Sequence, residues 1–419
     1  MIVYPIRHGS YPELSSFQTA VLSDFLSSAF RKALPLRLQE IYNRRSETRS
    51  LFVSVKNQST ENVVKSKAST KKQPRLEEDS STVTYLINSC GLSPESAILA
   101  SQKVQFQNLV KPESVLALLS DFGFSKTQIS SIVRKRPLLL LADPVNTLLP
   151  KLEFLRSIGI SKSDLARTLS ADATLLTRSL ENQIIPSYNF LKSVLLTDER
   201  IVSSMKRTTW IFLEDPSKNL VPNITRLSEL GVPQSCIILL LTHFPEAVMQ
   251  KHEQFSKIVD EVKEMGFDVK KTTFVLAVHA LSGKGNKSTW ERCYEVYKRW
   301  GWSHDMILEA FRKHPHCMML SEGKIMKGMD FLVNKMGYPS QVIAQFPMGL
   351  FFSLERRIIP RCRVIQVLSS KRLIKDGLSL ASFLVPVEKC FLERFVNKYY
   401  AEIPQLLSVY EGKLNPEDV

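Results

Sequence analysis

The stretch GFSKTQISSIVRKRPLLLLADPVNTLLPKLEFLRSIGI, from Gly123 to Ile160, decides the fold. In it three basic residues run into Pro137, a leucine-rich segment follows, and an Asp-Pro step comes next. Read alone, it could be a localisation signal, a buried strand or one copy of a repeat. A proline lacks a backbone donor and disfavours helix at the residue before it, so Pro137 should end a helix. Asp143 should cap the next helix, with Pro144 at its first position.

Glycines recur along the chain with a period of 35 or 36 residues, and one gap of 72 equals two periods. Leu195 stands where one glycine is missing, and Arg372 replaces another at the end of the series. Such a period is the signature of a repeat array. The marker glycines are Gly123, Gly159, Gly231, Gly266, Gly301 and Gly337.

Apolar residues lie four, seven and eleven places before most markers, as Leu155, Leu152 and Leu148 do before Gly159. This spacing puts them on one face of a helix. Before Gly337 the register slips, because Asp330 occupies the middle place and Met326, Met329 and Val333 substitute. Fourteen places after the markers lie Pro137, Ala173, Thr209, Pro245, Ala280 and Pro315, and in the last copy the proline comes early, at Pro347. A second proline series should start or kink the longer helix: Pro150, Pro186 and Pro222.

Each unit is therefore predicted to be a long helix, a glycine turn, a second helix and a short segment after a proline break. Leu138 to Leu141 are expected to pack between units and not to form a strand. One unit cannot bury its apolar face alone, whereas stacked units can. The sequence predicts an all-α fold, a right-handed-type α-solenoid superhelix of about eight repeats over residues 83–411, closed by a helical cap near residues 387–410.

Residues 1–80 differ in composition from the rest of the chain. They carry 13 Lys or Arg against 8 Asp or Glu, are rich in serine, and could form an amphipathic helix over residues 21–42. Arg-rich, Ser-rich and acid-poor composition is typical of an organelle transit peptide. The alternative is a disordered polar extension that ends in a flexible linker over residues 65–81.

The charge of the chain points to a polyanionic partner. The formal net charge is +15 and the pI about 9.5, and residues 81–419 hold 43 basic against 33 acidic residues. Such a surplus favours nucleic acid or an anionic membrane as partner. No apolar run is long enough for a membrane span. The six cysteines are scattered without a C-x-x-C pair, which favours a reducing compartment and neither a zinc site nor a disulfide framework.

Several segments of the chain are similar in sequence to one protein family. Besides the opening stretch they are YLINSCGLSPESA, LLTRSLENQIIPSYNFLKS, STWERCYEVYKRWGWS and ERRIIPRCRVIQVL. Over about residues 83–410 the chain resembles the mitochondrial transcription termination factor (mTERF) family, particularly its plant members. The resemblance implies a curved helical array whose basic concave face binds nucleic acid, chiefly double-stranded DNA, in mitochondria or chloroplasts, and a role in organelle transcription or, in some plant members, intron splicing.

Basic residues recur near the predicted joints between units. Stacking would align them as a stripe that neutralises phosphates, although many could equally be solvated helix faces. Reversing the charges of Arg134, Arg136, Arg356 and Arg357 together should weaken DNA binding and flatten its salt dependence. The candidate nucleic-acid-binding residues are Arg134, Lys135, Arg136, Arg178, Lys206, Arg207, Arg312, Lys313, Arg356, Arg357, Arg361 and Arg363.

Three further motifs are interpreted as structural. SGKGNKST (282–289) lacks the spacing of a phosphate loop and reads as a solvated turn. His314, His316 and Cys317 lack a second ligand cluster, and His314 is placed near a helix end, where a positive charge is favoured. The aromatic residues from Trp290 to Trp300 are expected to belong mainly to the core.

The leading hypothesis is a monomeric nucleic-acid-binding regulator of organelle transcription, including termination, placed in the mitochondrion with the chloroplast as alternative. It has no catalytic residues, cofactor or metal, no membrane association, and organellar transcription or RNA-processing proteins as possible partners. An RNA-binding factor for intron splicing or RNA maturation, or a protein-interaction scaffold, are the alternatives. A basic concave face favours the first two over the scaffold.

Overall fold

Glycine turns separate paired helices along the chain, as the period predicts. In the computed structural model, residues 76–283, 285–375 and 377–419 are described, and these residues form helices and no strand. Residues 78–419 form one compact body. The predicted targeting segment and its amphipathic helix at 21–42 lie outside the described residues.

The described chain contains nine helix pairs, close to the eight repeats expected. We number the pairs as units 1 to 9, each with a first and a second helix. The first helices are Leu76–Asn88, Val110–Asp121, Leu149–Ser157, Ile185–Leu195, Leu220–Glu229, His252–Glu264, Asn286–Arg299, Glu322–Met329 and Ile359–Ser370.

Second helices are about ten residues long in the central units and shorter in the last two. Serine caps open several of them. Ser125 accepts from the backbone N–H of Gln128 and completes a capping box. Ser161 and Ser303 each accept one backbone N–H, from Asp164 and Met306. The second helices are Pro94–Ser101, Lys126–Lys135, Lys162–Ala171, Asp198–Arg207, Gln234–His243, Thr272–Leu281, His304–Lys313, Ser340–Gln345 and Leu380–Leu384.

A short helical segment follows most second helices at the predicted break. It is a 3₁₀-helix except in unit 5, where it is one α-helical turn. Within Pro137–Leu141, Leu139 and Leu140 are buried, but Leu138 and Leu141 are exposed, so only two of the four leucines pack as predicted. The segments are Pro137–Leu141, Ala173–Thr177, Thr209–Phe212, Pro245–Val248, Pro315–Met319 and Pro347–Phe351.

Unit 6 departs from this pattern. Its second helix begins six residues after Gly266 and not three, and it runs on to Leu281. Ala280 therefore lies inside a helix and does not mark a break. The helix keeps the length of ten residues found in the neighbouring units, so its late start carries its end past position 280, whereas the non-proline residues Ala173 and Thr209 still lie at breaks.

In units 3, 4 and 9 the proline of the first helix lies where a wide π-helical turn gives way to α-helix. Pro144–Leu148 precedes Leu149–Ser157, and Asp143 caps it through the N–H groups of Val145 and Asn146, as predicted. The Leu148 N–H donates to Asp143 O at 3.2 Å, five residues back. This wider turn accommodates a proline ring that would clash in a regular helix. Equivalent turns precede units 4 and 9, at Leu180–Ile184 and Leu354–Ile358.

Left-handed backbone closes each first helix. Gly123 and Gly159 have φ of 89° and 95°, a region that glycine enters without steric cost. In unit 4 the left-handed residue is Leu196, with φ of 72°, and not Leu195, which is buried at the end of the helix. Arg372, with φ of 55°, occupies the predicted place in unit 9.

The predicted inner face of the first helices is the core. Leu148, Leu152 and Leu155 are each at most 1% exposed. Among the described residues, helices extend from Leu76 to Asp418. In the described part of the chain no helix is both long and apolar enough to cross a membrane. The helices after unit 9 are Glu388–Phe391, Leu392–Val396, Asn397–Tyr399, Leu406–Tyr410 and Pro416–Asp418.

Candidate nucleic-acid interface

Lys and Arg side chains occupy the last turn of the second helix in units 2, 4 and 7. The other described second helices carry no Lys or Arg in their last turn, so the predicted stripe is interrupted and does not provide one cation per unit. A cation in the last turn is also favourable to the helix itself, because the carbonyl end of the helix is negative. The cations in these turns are Arg134, Lys135, Lys206, Arg207, Arg312 and Lys313.

Four of the predicted arginines are exposed and available to a ligand. Arg134 and Arg207 lie in the last turns of the second helices of units 2 and 4. Arg178 follows the short segment of unit 3, and Arg356 lies in the π turn of unit 9. Among the described residues, none of these four side chains forms an ion pair or hydrogen bond. Their guanidinium groups are therefore free to bind phosphate or a guanine edge.

The neighbours of Arg134 hold units 2 and 3 together. Lys135 Nζ donates to Ser170 O at 2.8 Å and to Ala171 O at 2.6 Å, which satisfies the carbonyl end of the next second helix. Arg136 Nη2 donates to Thr174 Oγ1 at 2.8 Å. Both cations are exposed but have structural partners, so their removal would disturb the joint between units as well as the surface charge.

Lys206 is also engaged within the protein. Its Nζ lies 2.8 Å from Asp164 Oδ2, and Arg167 approaches the other oxygen at 2.5 Å. The hydrogen bond from Lys206 is the main cause that lowers the pKa of Asp164 to about 2. Part of the positive charge at this place is thus neutralised by a carboxylate.

Glu309 binds both predicted cations of unit 7. It lies 3.8 Å from Arg312 Nη1 and 3.4 Å from Lys313 Nζ. Arg312 Nε also donates to Met265 O at 2.8 Å, at the end of the first helix of unit 6. These residues link units 6 and 7 and contribute less free charge than the sequence suggests.

The basic group of unit 9 divides into surface and interior residues. The Arg357 guanidinium lies over the Phe352 ring, 4.7 Å from its centroid, and donates to Pro386 O at 3.4 Å. Arg363 is half-buried and forms no ion pair or hydrogen bond with other described residues. Arg357 and Arg363 are thus both partly exposed, and the Arg363 guanidinium lies near Gly412 of the C-terminal cap.

The helical repeats of this chain match a known protein family. The family model mTERF matches residues 116–280 and 278–392, more than half of the chain. The protein belongs to the mTERF family. Members of this family are nucleic-acid-binding regulators and not enzymes. A 105-residue part of the chain is 30% identical to "Transcription termination factor MTERF15, mitochondrial" of Arabidopsis thaliana, and the alignment spans 24% of this chain and 23% of that relative.

One predicted contact of this mTERF protein is wrong, because Arg361 is buried. It is 1% exposed, and its Nη1 donates to Phe383 O and Pro386 O, each at 2.7 Å. Its guanidinium also stacks on Phe391, 4.6 Å from the ring centroid. Arg361 thus attaches the C-terminal cap to unit 9 and cannot reach a nucleic acid.

Arg361 belongs to a repeated device of the mTERF units that the sequence predictions missed. In four units a buried polar residue directly follows the proline of the first helix and donates to carbonyls 22 to 27 residues later, at the end of the second helix or the segment after it. A polar residue after each such proline was the available signal. The donors are Lys151 to Leu176 O, Ser187 to Phe212 O, Asn223 to Val248 O and Gln250 O, and Arg361 to Phe383 O, Leu384 O and Pro386 O.

Histidines of this mTERF protein form a packed cluster. His279 Nδ1 lies 3.1 Å from His316 Nε2, and Phe244 stacks on His279 with centroids 3.8 Å apart. Burial, and then His316, lower the pKa of His279 to about 4. His314 caps the end of a helix as predicted, but burial lowers its pKa and so disfavours the cation. In the described chain no three His, Cys, Asp or Glu side chains are placed to hold a metal.

Trp210 is an exposed aromatic residue that the sequence predictions did not single out. It lies in the short segment of unit 4 and is 49% exposed, unlike Ile211 and Phe212, which are buried. It follows three residues after Arg207. An exposed ring near a free guanidinium is a suitable surface for an unpaired base.

Proposed function

We propose that this mTERF protein binds double-stranded DNA and regulates organellar transcription, including termination. The observation that carries the proposal is the set of four exposed, unpartnered arginines at unit ends: Arg134, Arg178, Arg207 and Arg356. Contacts from such residues neutralise phosphates and position the protein on the duplex. The net positive charge of residues 81–419 adds a long-range attraction.

Regulation in this proposal needs no catalytic step. A protein bound along a duplex obstructs or positions an RNA polymerase that must traverse the same DNA. We assign it to the mitochondrion, which the name of the Arabidopsis relative supports, with the chloroplast as the alternative.

Replacing the four free arginines with glutamine tests the DNA interface. Arg134→Gln, Arg178→Gln, Arg207→Gln and Arg356→Gln together should weaken duplex binding. Each lost phosphate contact should reduce the slope of log K against log salt by about 0.9. The slope is measured by fluorescence anisotropy with a labelled duplex between about 50 and 200 mM salt.

A matched variant controls for net charge. It replaces four exposed lysines with glutamine. Lys257 and Lys263 lie on the first helix of unit 6, Lys270 lies in the turn after that helix, and Lys389 lies in the cap. This control should keep the wild-type slope. The same loss of slope in both variants would show a non-specific effect of net charge and contradict the assigned interface.

RNA binding is the second candidate, and the exposure of Trp210 favours it. Stacking of a base on an exposed aromatic ring contributes about 1–3 kcal/mol. Competition between matched duplex DNA and a structured RNA of equal length separates the two functions. If RNA is the ligand, Trp210→Ala should weaken RNA binding about tenfold or more, and duplex binding should change little.

A further inference from the structure

A cleft separates the beginnings of the first helices of units 8 and 9. Its volume is about 440 Å³, within the range of about 300–1,000 Å³ found for small-molecule sites. One wall is the helix Glu322–Met329 and the other is the π turn Leu354–Ile358. The cleft is lined by, among others, Ser321, Gly323, Lys324, Lys327, Phe352 and Ser353.

Two glycines of the helix Glu322–Met329 line this space. A Cβ atom at Gly328 would lie 2.8 Å from Leu350 Cδ2, so the helix packs closely on the short segment Pro347–Phe351 there, and a side chain at 328 would require Leu350 to move. A Cβ atom at Gly323 would meet nothing within 4 Å, because this position faces the open cleft. Glycine within a helix lowers the stability of the folded protein relative to alanine. An empty cleft beside Gly323 would not compensate for this loss.

The polar lining of the cleft consists of groups that donate hydrogen bonds. Lys324 Nζ donates to Phe351 O at 2.7 Å, which fixes the ammonium group at the rim. Lys327 is exposed and has no partner among the described residues. The hydroxyls of Ser321 and Ser353 each accept from a backbone N–H and keep their own protons to donate. Such a set of donors suits an anion.

Carboxylates do not oppose an anion in the cleft, since no lining residue is acidic. Glu322 is adjacent in sequence but pairs with Arg299 at 2.5 Å, which offsets its charge. After the Ser353 cap, Arg356 and Arg357 add two positive charges against the single negative charge of Glu355. The local field therefore favours a negatively charged ligand.

The floor of the cleft is apolar. Leu350, Phe352, Leu354 and Ile358 form it, and the Phe352 ring already bears the Arg357 guanidinium on one side. A ligand that matches both surfaces carries a phosphate for the lysines and a flat, weakly polar ring for the floor. A nucleoside monophosphate group has both parts.

We infer that this cleft is a binding site for a nucleoside monophosphate group. The phosphate contacts Lys324, Lys327 and the serine hydroxyls, and the base packs against Phe352 and its apolar neighbours. The group could come from a free mononucleotide or from an unpaired nucleotide of a strand. Only the second source rests on the proposed nucleic-acid binding.

Filling the cleft tests the inference. Gly323→Phe places a ring in the cleft from a position where a Cβ atom has open space, and Gly323→Ala is its matched control because it adds the same Cβ atom to the helix without the ring. Adenosine 5′-monophosphate should bind wild type and Gly323→Ala alike and bind Gly323→Phe about tenfold or more weakly, as measured by isothermal titration calorimetry. Lys324→Gln with Lys327→Gln should lower the affinity similarly without filling the space.

An oligonucleotide with one unpaired adenosine distinguishes the sources. Cleft-dependent binding of the monophosphate itself assigns a free nucleotide, whereas cleft dependence of the oligonucleotide alone assigns a strand. If both probes bind Gly323→Phe as they bind Gly323→Ala, the inference is wrong. Circular dichroism verifies that the variants are folded, and fully paired DNA measured in parallel reports on the proposed function separately.

Discussion

Arg356 and Arg361 are identical residues five positions apart with opposite surroundings. Arg356 is exposed in a π turn, while Arg361 is buried under the cap and donates to three backbone carbonyls. A buried guanidinium whose donors meet carbonyls is stabilising only as long as these partners remain in place. The same residue type therefore serves surface charge at one position and folding at the other.

Methionine substitutions should separate these two roles. Arg361→Met leaves the carbonyls of Phe383, Leu384 and Pro386 without a donor, so the free energy of unfolding should fall by about 2–4 kcal/mol. Arg356→Met should change it by less than about 0.5 kcal/mol and weaken nucleic-acid binding. Urea denaturation and anisotropy on the same samples provide the measurement. Equal losses of stability in the two variants would contradict the buried role.

The sequence could not distinguish these arginines. Both belong to one basic run, ERRIIPRCR, and the burial of Arg361 depends on carbonyls more than 20 residues later. The polar residue after each proline was visible at positions 151, 187 and 223, but its partners are set by tertiary packing. Exposure of Arg134, Arg178, Arg207 and Arg356 likewise depends on neighbours that sequence spacing does not specify.

Turns between paired helices depend on left-handed residues, which at most units are glycines. Leu196 and Arg372 adopt this conformation despite their side chains. A left-handed conformation costs a side-chain-bearing residue about 1–2 kcal/mol. At Leu196 the side chain is 57% exposed, so little burial offsets that cost.

Replacing Leu196 with glycine should stabilise the protein. Leu196→Gly removes the strain at φ of 72° and should raise the free energy of unfolding by about 0.5–1 kcal/mol, after the larger entropy of glycine in the unfolded chain is deducted. Thermal denaturation followed by circular dichroism measures the change.

Leu138→Gly is the matched control for Leu196→Gly. Leu138 is similarly exposed at 60% but lies in a 3₁₀-helix with ordinary backbone angles. Glycine at this position should destabilise the protein by about 0.5–1 kcal/mol. A loss of stability in both variants would mean that the turn at Leu196 is not strained.

The exact turn residue in unit 4 was beyond the periodic pattern. Counting periods points to Leu195, yet the structure keeps Leu195 buried in the helix and turns at Leu196. The periodic spacing cannot distinguish two adjacent leucines, and only packing decides which of them is buried in the helix. Ala280 failed as a break because the second helix of unit 6 starts three residues late and keeps its length of ten residues, so it covers this position.

Polar and aromatic contacts near the ends of the second helices link several adjoining units. Lys135 and Arg136 join unit 2 to unit 3. Further along, Phe244, His279 and His316 come from units 5, 6 and 7 and pack on one another. The histidine cluster lies where unit 6 lacks its short segment and so supplies contacts that the segment makes elsewhere.

Acid should weaken the array at this cluster. Because burial lowers the pKa of His279 to about 4 from 6.5, the unfolded chain takes up a proton first as the pH falls. The free energy of unfolding should therefore decline between about pH 6.5 and 4, by about 1–2 kcal/mol for a partly buried ring. Burial also lowers the pKa of His316, which acts in the same direction.

Denaturation at several pH values measures this dependence. His279→Gln should flatten the decline between pH 6.5 and 4, because the group responsible is removed. His243→Gln, in an exposed position beside Phe244, should leave it as in wild type. If all three proteins lose stability in parallel, the cluster is not the origin of the effect.

The architecture as a whole was accessible from the sequence because it repeats. The period at Gly123, Gly159, Gly231 and later glycines, with prolines at a constant offset, predicts paired helices without knowledge of any contact. The cleft at Gly323 was not accessible, since an isolated helical glycine carries no sign of what lies opposite.

Donors after the prolines have a consequence for how such a protein can change in length. Lys151, Ser187 and Asn223 each satisfy carbonyls of their own unit and none of a neighbouring one. A unit that is gained by duplication, or lost, would therefore take these hydrogen bonds with it and leave the equivalent ones of the remaining units intact. Arg361 is the exception, because Pro386 O lies in the cap, so the last unit and the cap would have to be kept together.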